Sequence, residues 1–364
     1  MSATQVSVES QVGVSVFESF HALEQTAFQA LKGKINHAFV TGAGGFLGQA
    51  ICQRLLAAGI RVTGFARGDY PELTAMGVIM IRGDIADKAC VLRAMEGCDL
   101  VFHVASKAGV WGSKQSYFSP NVDGATNIIS ACQQLKISKL IYTSTPSVTF
   151  AGEDESGIDE SAPYAASYLN HYGETKAIAE QMVLNANSQT LKTLALRPHL
   201  IWGPGDPHLV PRVIERAKVG RLKLVGKEDK LVDTIYVDNA AYGHILAAVN
   251  LCNKDATAAG RAYFLSNDEP ITMATMLNKI LACADLPEVT KRVPAGLAYM
   301  VGAVLECVYG VLGKTNEPMM TRFVAKQLST SHYFNISAAK TDLGYSPLIS
   351  IDQGMVKLRE HLNT

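Results

Sequence analysis

Apolar positions along this chain change period in a regular order. From Val16 to Leu31 they recur at helical spacing (Val16, Phe20, Leu23, Ala27, Leu31), with Glu18, Gln25 and Gln29 elsewhere. His37 to Thr41 is a short β-prone run leading into Gly42, Gly45 and Gly48. Phe46, Leu47, Ile51, Leu55 and Leu56 then mark one face of a helix. The alternation repeats. IRVTGFARGDY predicts a second strand ending at Ala66 and Arg67, and Val78 to Ile85 a third. Residues 87–97 predict a helix, and Asp99 to Ser106 a fourth strand, so continuously apolar that both of its faces must be covered. A helix over Asn121 to Leu135 and a fifth strand over Lys139 to Val148 with its exit loop follow. The order β-α-β-β-α-β-α-β predicts an α/β fold, a doubly wound parallel sheet with its site at the strands' carboxyl ends.

A sixth strand, Thr193 to Asp206, is broken by Pro198. Beyond it the rhythm loosens. Residues 207–232 mix helix and loop, Asp233 to Val249 reads as a short strand leading into a helix, and Ala262 to Asn267 as another strand. The expected organisation is an N-terminal extension with its helix (1–35), a nucleotide-binding domain (36–205), and a smaller C-terminal substrate-binding lobe (206–364) wound into it. The N-terminal helix is expected to pack on the body rather than dock a partner, behind a disordered lead over residues 1–15. Val293 to Gly313 is an apolar stretch with one charge, Glu306, flanked by Lys291, Arg292 and Lys314. As a helix it would span roughly 30 Å, close to a hydrocarbon core. Glu306, Pro294 and the glycines argue against a span, since a charge at depth costs about 3 kcal/mol. A lid or core helix over an oily substrate, with a peripheral membrane contact as an extension of that role, is the expectation.

Charge changes the picture by exclusion. Lys plus Arg equals Asp plus Glu at 33 each, and no basic run stands out, so nucleic acid is not an expected partner. The seven cysteines are scattered, without a C-x-x-C pair, which reads as reduced thiols in a cytoplasm and no metal site. Residues 1–31 contain no Lys or Arg, the charge a secretory signal or transit peptide carries. A cytoplasmic protein is expected.

Candidate chemistry gathers in three places. Strand, glycine turn and helix start (HAFVTGAGGFLG, His37 to Gly48) place a diphosphate against backbone N–H groups and the positive end of a helix. Gly42 serves the turn, Gly45 the approach of the phosphates, and Gly48 the packing of helix on strand. At the end of the second strand, where NAD-binding folds carry an acid for the ribose 2′-hydroxyl, stand Ala66 and Arg67. A guanidinium there suits a 2′-phosphate, which favours NADP(H). Asp84, ending the third strand, is placed for the adenine amino group.

Tyr172 and Lys176 lie one helical turn apart, about 30 residues after a strand that ends in Ser144 and Thr145. A phenol titrates near 10, and a neighbouring ammonium is expected to lower that value and make it a usable acid. Thr145 or Ser144 would hold a carbonyl oxygen. His103, inside the fourth strand, reads as a core histidine. His199, His208 and Arg212 follow the sixth strand and are candidates to meet a substrate carboxylate.

Together TGAGGFLG, Gly83 to Ile85, the Tyr172–Lys176 pair, LRP with GPGD, and Tyr236 to Asn239 resemble the extended short-chain dehydrogenase/reductases, in the 3β-hydroxysteroid dehydrogenase-like branch. The late segment His332 to Pro347 is similar to that branch's C-terminal signature. Within it, Ala66 to Leu73 and Leu196 to Arg212 resemble the 2-alkyl-3-oxoalkanoate reductases of bacterial long-chain olefin synthesis. The resemblance implies a Rossmann fold and NADPH-dependent reduction of a long-chain β-keto acid. It implies cofactor contacts at Gly42, Gly45, Phe46, Leu47, Gly48, Arg67, Asp84, Ile85, Ala105, Tyr172, Lys176 and Pro198. Many relatives carry Ser where this chain has Thr145. A homo-oligomer and partner enzymes of the same pathway are further expectations. Two other readings compete: an NAD-using 3β-hydroxysteroid or C4-decarboxylating sterol dehydrogenase, and a cofactor-binding interaction protein without turnover. The intact Tyr172–Lys176 pair argues against the last.

Overall fold

The computed structural model describes residues 20–364. Seven strands form its main sheet: β1 (His37–Thr41), β2 (Arg61–Ala66), β3 (Ile79–Arg82), β4 (Leu100–His103), β5 (Lys139–Thr143), β6 (Lys192–Pro198) and β7 (Ala262–Leu265). All are parallel, in the order β7-β6-β5-β4-β1-β2-β3. Every residue of β1 and β4 is buried. Alternate side chains go to opposite faces, so Ala38 and Val40 join one core cluster while Phe39 joins the other. That is why these strands read as unbroken apolar runs. Strand order reverses between β1 and β4, and the crevice at their carboxyl ends is where Gly42 and Ala105 meet.

The helices around the site are α1 (Ala22–Leu31), α2 (Phe46–Ala57), α3 (Gly124–Leu135), α4 (His171–Asn185), α5 (Leu209–Lys218), α6 (Val237–Leu251) and α7 (Ala295–Val311). The helix expected from Asn121 begins as a π turn over Ser119–Asp123 before α3. The one expected at 87–97 is trimmed to Lys88–Ala94, with Asp87 capping its start.

Helix α1 is part of the body. Ala27, Phe28 and Leu31 are buried, and Glu24 pairs with Arg54 of α2 at 2.7 Å with both side chains out of solvent. Arg54 also holds Asp238 of α6 at 2.9 Å. The part of the predicted helix before residue 20, and the lead preceding it, lie outside the described residues.

The later half is woven into the sheet: it supplies β7 at the edge and α6, which packs on α2 and α1. A small sheet joins its Ile271–Thr272, Leu231–Val232 and His332–Phe334 to Glu155–Ile158 of the first half. Helix α7 buries only Ala298 and Gly302, where a Cβ on Gly302 would fall 2.6 Å from the Thr321 backbone. Glu306 is neutralised by Arg322, whose Nε lies 2.6 Å away. Met300, Val304, Val308 and Val311 face outward and exposed. So this segment is a surface cover and not a core helix. No helix among the described residues is long and apolar enough to cross a membrane.

Candidate active site

Strand β1 delivers the chain into a turn only glycine fits. Gly42 has φ 66° and a Cβ there would lie 2.9 Å from the Ala105 backbone. A Cβ on Gly48 would fall 2.1 Å from the Gly42 carbonyl oxygen, so α2 crosses the loop at a distance only hydrogen allows. Gly45 is the N-cap of α2 and brings no side-chain acceptor. The N–H groups of Phe46, Leu47 and Gly48 therefore find no partner among the described residues. Free first-turn donors plus the helix dipole make an anion cradle that fits a dinucleotide's diphosphate.

Around it, Ala105 donates its N–H to Thr41 Oγ1 at 3.0 Å, which holds the β4 exit against the loop. Arg67 is exposed just past β2 and makes no ion pair among the described residues. The acid of the same loop, Asp69, is turned to Arg82 at 3.3 Å. Asp84 is exposed at the end of β3, one oxygen accepting from the Ala86 N–H at 2.9 Å and the other without a bond. Ile85 is buried against Gly124, and its carbonyl accepts from Asn127, which leaves its backbone N–H as what it can offer a cofactor. Pro198 is buried at the end of β6. Sequence reasoning missed Tyr70, whose ring lies against Gly44 of the loop.

Asn170 caps α4 by accepting from the Gly173 N–H at 2.9 Å, and so fixes the turn that carries Tyr172. Tyr172 is partly buried; burial raises its pKa and contact with the Thr145 hydroxyl opposes the rise. Lys176 is fully buried. Its Nζ donates to the Thr143 carbonyl at 2.6 Å and sits 4.1 Å from the centre of the Tyr142 ring. Burial pulls its pKa down to about 7, against the pull of Glu180. The expected effect of the ammonium on the phenol is therefore corrected: Lys176 points into the sheet, and Thr145 is the group that favours the Tyr172 phenolate. Ser144 keeps a buried hydroxyl without a partner among the described residues, while its N–H donates to the Leu196 carbonyl at 2.6 Å. His103 is buried, with Nδ1 on Thr41 Oγ1 at 2.9 Å and Nε2 unpaired; burial, then Lys176, push its pKa to about 3.

Beneath this surface lies an ion pair the sequence did not reveal. Arg197 of β6 binds Glu180 of α4 through Nε at 3.0 Å and a terminal nitrogen at 2.6 Å, and Tyr164 donates to the same carboxylate at 2.7 Å. Glu180 lies one turn beyond Lys176 on the same helix, so the pair fixes α4 to the sheet just behind the two functional residues.

The three candidates for a substrate carboxylate separate. His199 is buried, with Nε2 at 2.6 Å from His332 Nδ1. His332 Nε2 faces the Gln327 carbonyl at 2.8 Å and must donate to it, so its Nδ1 accepts and the His199 proton sits on Nε2. That nitrogen is committed to the fold. His208 is exposed at the start of α5. Arg212 lines a large cavity, but Glu317 neutralises it at 3.0 Å.

That cavity, about 940 Å³, lies between α5, α7 and the small sheet, and its wall includes Val213, Leu222, Val225, Met276, Leu277 and Val301. Tyr172 and Thr145 are not on its wall. Val110 from the β4 exit and Leu200 from the β6 exit are, and these two loops lead back to the carboxyl edge of the sheet.

Glycine cradle, crevice at the strand reversal, and a Tyr–Lys helix beside a hydroxyl at the end of β5 define an extended short-chain dehydrogenase/reductase. The chain belongs to the 3-beta hydroxysteroid dehydrogenase/isomerase family, whose sequence profile matches residues 39–292. It is 67% identical over 351 residues to a 2-alkyl-3-oxoalkanoate reductase of Shewanella oneidensis, covering 94% of this chain and 91% of that one. A protein of the same name from Stenotrophomonas maltophilia is 49% identical over 88% of this chain and 97% of its own. The human sterol-4-alpha-carboxylate 3-dehydrogenase, decarboxylating, is 36% identical over 87% and 85%. In fold, the chain is similar to the UDP-glucuronic acid 4-epimerase of Bacillus cereus solved with NAD, with a TM-score of 0.69 and 22% identity over 90% and 98% of the two chains.

Proposed function

We propose that the protein is an NADPH-dependent reductase that converts a long-chain 2-alkyl-3-oxoalkanoate to the 2-alkyl-3-hydroxyalkanoate in olefinic hydrocarbon biosynthesis. The observation that carries this reading is the apolar cavity reached by the β4 and β6 exit loops. Two alkyl branches bring many CH₂ groups, each contributing about 0.8 kcal/mol when buried. The names of the bacterial relatives point the same way.

A nicotinamide cofactor held at the glycine cradle would supply the hydride. The chain's own residues manage the oxygen that becomes the hydroxyl. Tyr172 gives its proton to that oxygen, and Thr145, already touching the phenol, steadies both. Lys176, one turn along, carries a proton that exchanges near neutral pH. Arg67, without a carboxylate partner, is the residue for a 2′-phosphate.

Helix α7 gives the substrate a route. Its exposed Met300, Val304 and Val308, with Lys291 before the helix and Lys314 after it, suit the surface of an anionic bilayer, while Leu297 and Val301 line the cavity beneath. A cytoplasmic location and hand-over to enzymes of the same pathway accompany this reading. The test is direct: purified protein, NADPH and a synthetic 2-alkyl-3-oxo acid should yield the 3-hydroxy acid by mass spectrometry. Cofactor oxidation without that product would reject it. Vesicles containing anionic lipid should co-sediment the protein, and Val304→Glu should abolish this.

A further inference from the structure

The loop after β4 runs along the carboxyl edge of the sheet to the cavity, which its Val110 lines. Lys107 stands early in that loop. Its N–H donates to Asn121 Oδ1 at 2.7 Å, and its carbonyl accepts from Asn121 Nδ2 at 3.2 Å. The same buried amide nitrogen donates to Thr175 Oγ1 at 2.9 Å. One asparagine thus fixes Lys107 to the turn of α4 that holds Tyr172 and Lys176.

The Lys107 ammonium has neutral partners. It donates to Ser116 Oγ at 2.7 Å and lies 4.7 Å from the centre of the Tyr117 ring. Tyr117 packs beside His171 of α4, with ring centres 6.4 Å apart, and its phenol donates to the Trp111 carbonyl at 3.0 Å. Burial, then Glu317, and to a smaller degree the Tyr172 phenol raise the Tyr117 pKa to about 12. Nearby acids are taken. Glu174 holds Lys114 at 2.7 Å and His171 at 3.1 Å, and Glu317 holds Arg212. Arg216, on the cavity wall, reaches the Met319 carbonyl at 3.0 Å. Lys107 is a partly buried cation tied through Asn121 to the helix that carries the proton donor, with no carboxylate of the described residues on it, an arrangement that calls for an anionic ligand.

We infer that Lys107 receives the carboxylate of the substrate, a 3-oxo acid whose ketone oxygen lies on Tyr172 and Thr145. This rests on the reductase reading above. In a 3-oxo acid one carbon separates the ketone from the carboxylate, so the receiving cation has to stand next to the proton donor. Asn121 and Thr175 tie Lys107 to the turn that carries that donor, and the alkyl branches then pass Val110 into the cavity. Sequence reasoning missed it because a single Lys in a loop carries no spacing signal.

The experiment compares a 2-alkyl-3-oxo acid with its methyl ester, for the unmodified protein, Lys107→Met, Lys107→Arg and Arg216→Met. Lys107→Met should raise KM for the acid by roughly 10–100-fold, the scale of a lost charge-assisted bond, and leave the ester within about twofold. Retained ester turnover shows that the variant is folded, and Lys107→Arg should restore most of the acid's affinity. Equal loss for acid and ester, or acid selectivity lost in Arg216→Met instead, overturns the assignment while the reductase reading stands. Calorimetry with the 3-hydroxy acid separates the two claims further. Binding that depends on Lys107 without any reduction would keep this assignment and reject the reductase reading. Binding indifferent to Lys107 rejects the assignment.

Discussion

Lys176 Nζ donates to the Thr143 carbonyl at 2.6 Å, although Tyr172 lies on the same face of α4. The ammonium is held in the sheet edge, where burial lowers its pKa from 10.5 to about 7. In the unfolded chain it titrates near its ordinary value, so between about 7 and 10.5 the unfolded state binds the extra proton and stability rises with pH. Below about 7 both states are charged and the full cost of the buried ammonium is felt. In cofactor-free protein, Lys176→Met should raise Tm by at least about 2 °C at pH 6, and the gain should shrink towards pH 10. Thermal unfolding across that range checks it; a gain that grows with pH would contradict the assignment.

Tyr172→Phe should lower turnover at least about a hundredfold, with dinucleotide binding retained. Thr145→Ala should cost about 10–100-fold because Thr145 touches the phenol, and Ser144→Ala should cost less. Steady-state kinetics with fluorescence titration of the cofactor separates the three. A larger loss at Ser144 would move the oxygen-holding role there.

Arg67→Ala should erase most of a preference for NADPH over NADH, worth about 1–3 kcal/mol, and leave NADH affinity nearly unchanged. Binding titrations with both cofactors give the answer. Equal affinity in the unmodified protein would remove the role given to Arg67.

Arg197→Met leaves Glu180 charged and buried, and should cost about 3–5 kcal/mol in urea unfolding. Replacing both partners with apolar residues of similar size should recover most of that. A loss under about 1 kcal/mol for the single change would show that the pair does not anchor α4.

Much of this was legible in the chain. Strands buried on both faces, such as β1 and β4, announce themselves as apolar runs, and the glycine turn is visible because Gly42 and Gly48 answer to local geometry. The Tyr172–Lys176 pair was visible because helical spacing fixes it. What long-range contacts decide was not. Nothing near His199 tells that His332 claims it from 133 positions away, nor that Glu180 and Arg197 meet. The direction of the Lys176 ammonium was misread, since a carbonyl acceptor at Thr143 exists only once β5 and α4 are packed. Val293 to Gly313 reads as lid or core from composition; packing makes it a cover with Leu297 and Val301 on the cavity wall, two residues buried and a broad apolar face outside.

The claim that this site reduces a long-chain keto acid is tested most directly by kcat/KM with NADPH over a series of 2-alkyl-3-oxo acids of increasing chain length, with a 3-oxosterol for comparison. The cavity predicts a rise of roughly fourfold per added CH₂ until it is filled, with Leu297→Glu or Val301→Glu flattening the rise while short acids react as before. A flat response to chain length, or faster turnover of the sterol than of any acyclic acid, would contradict it.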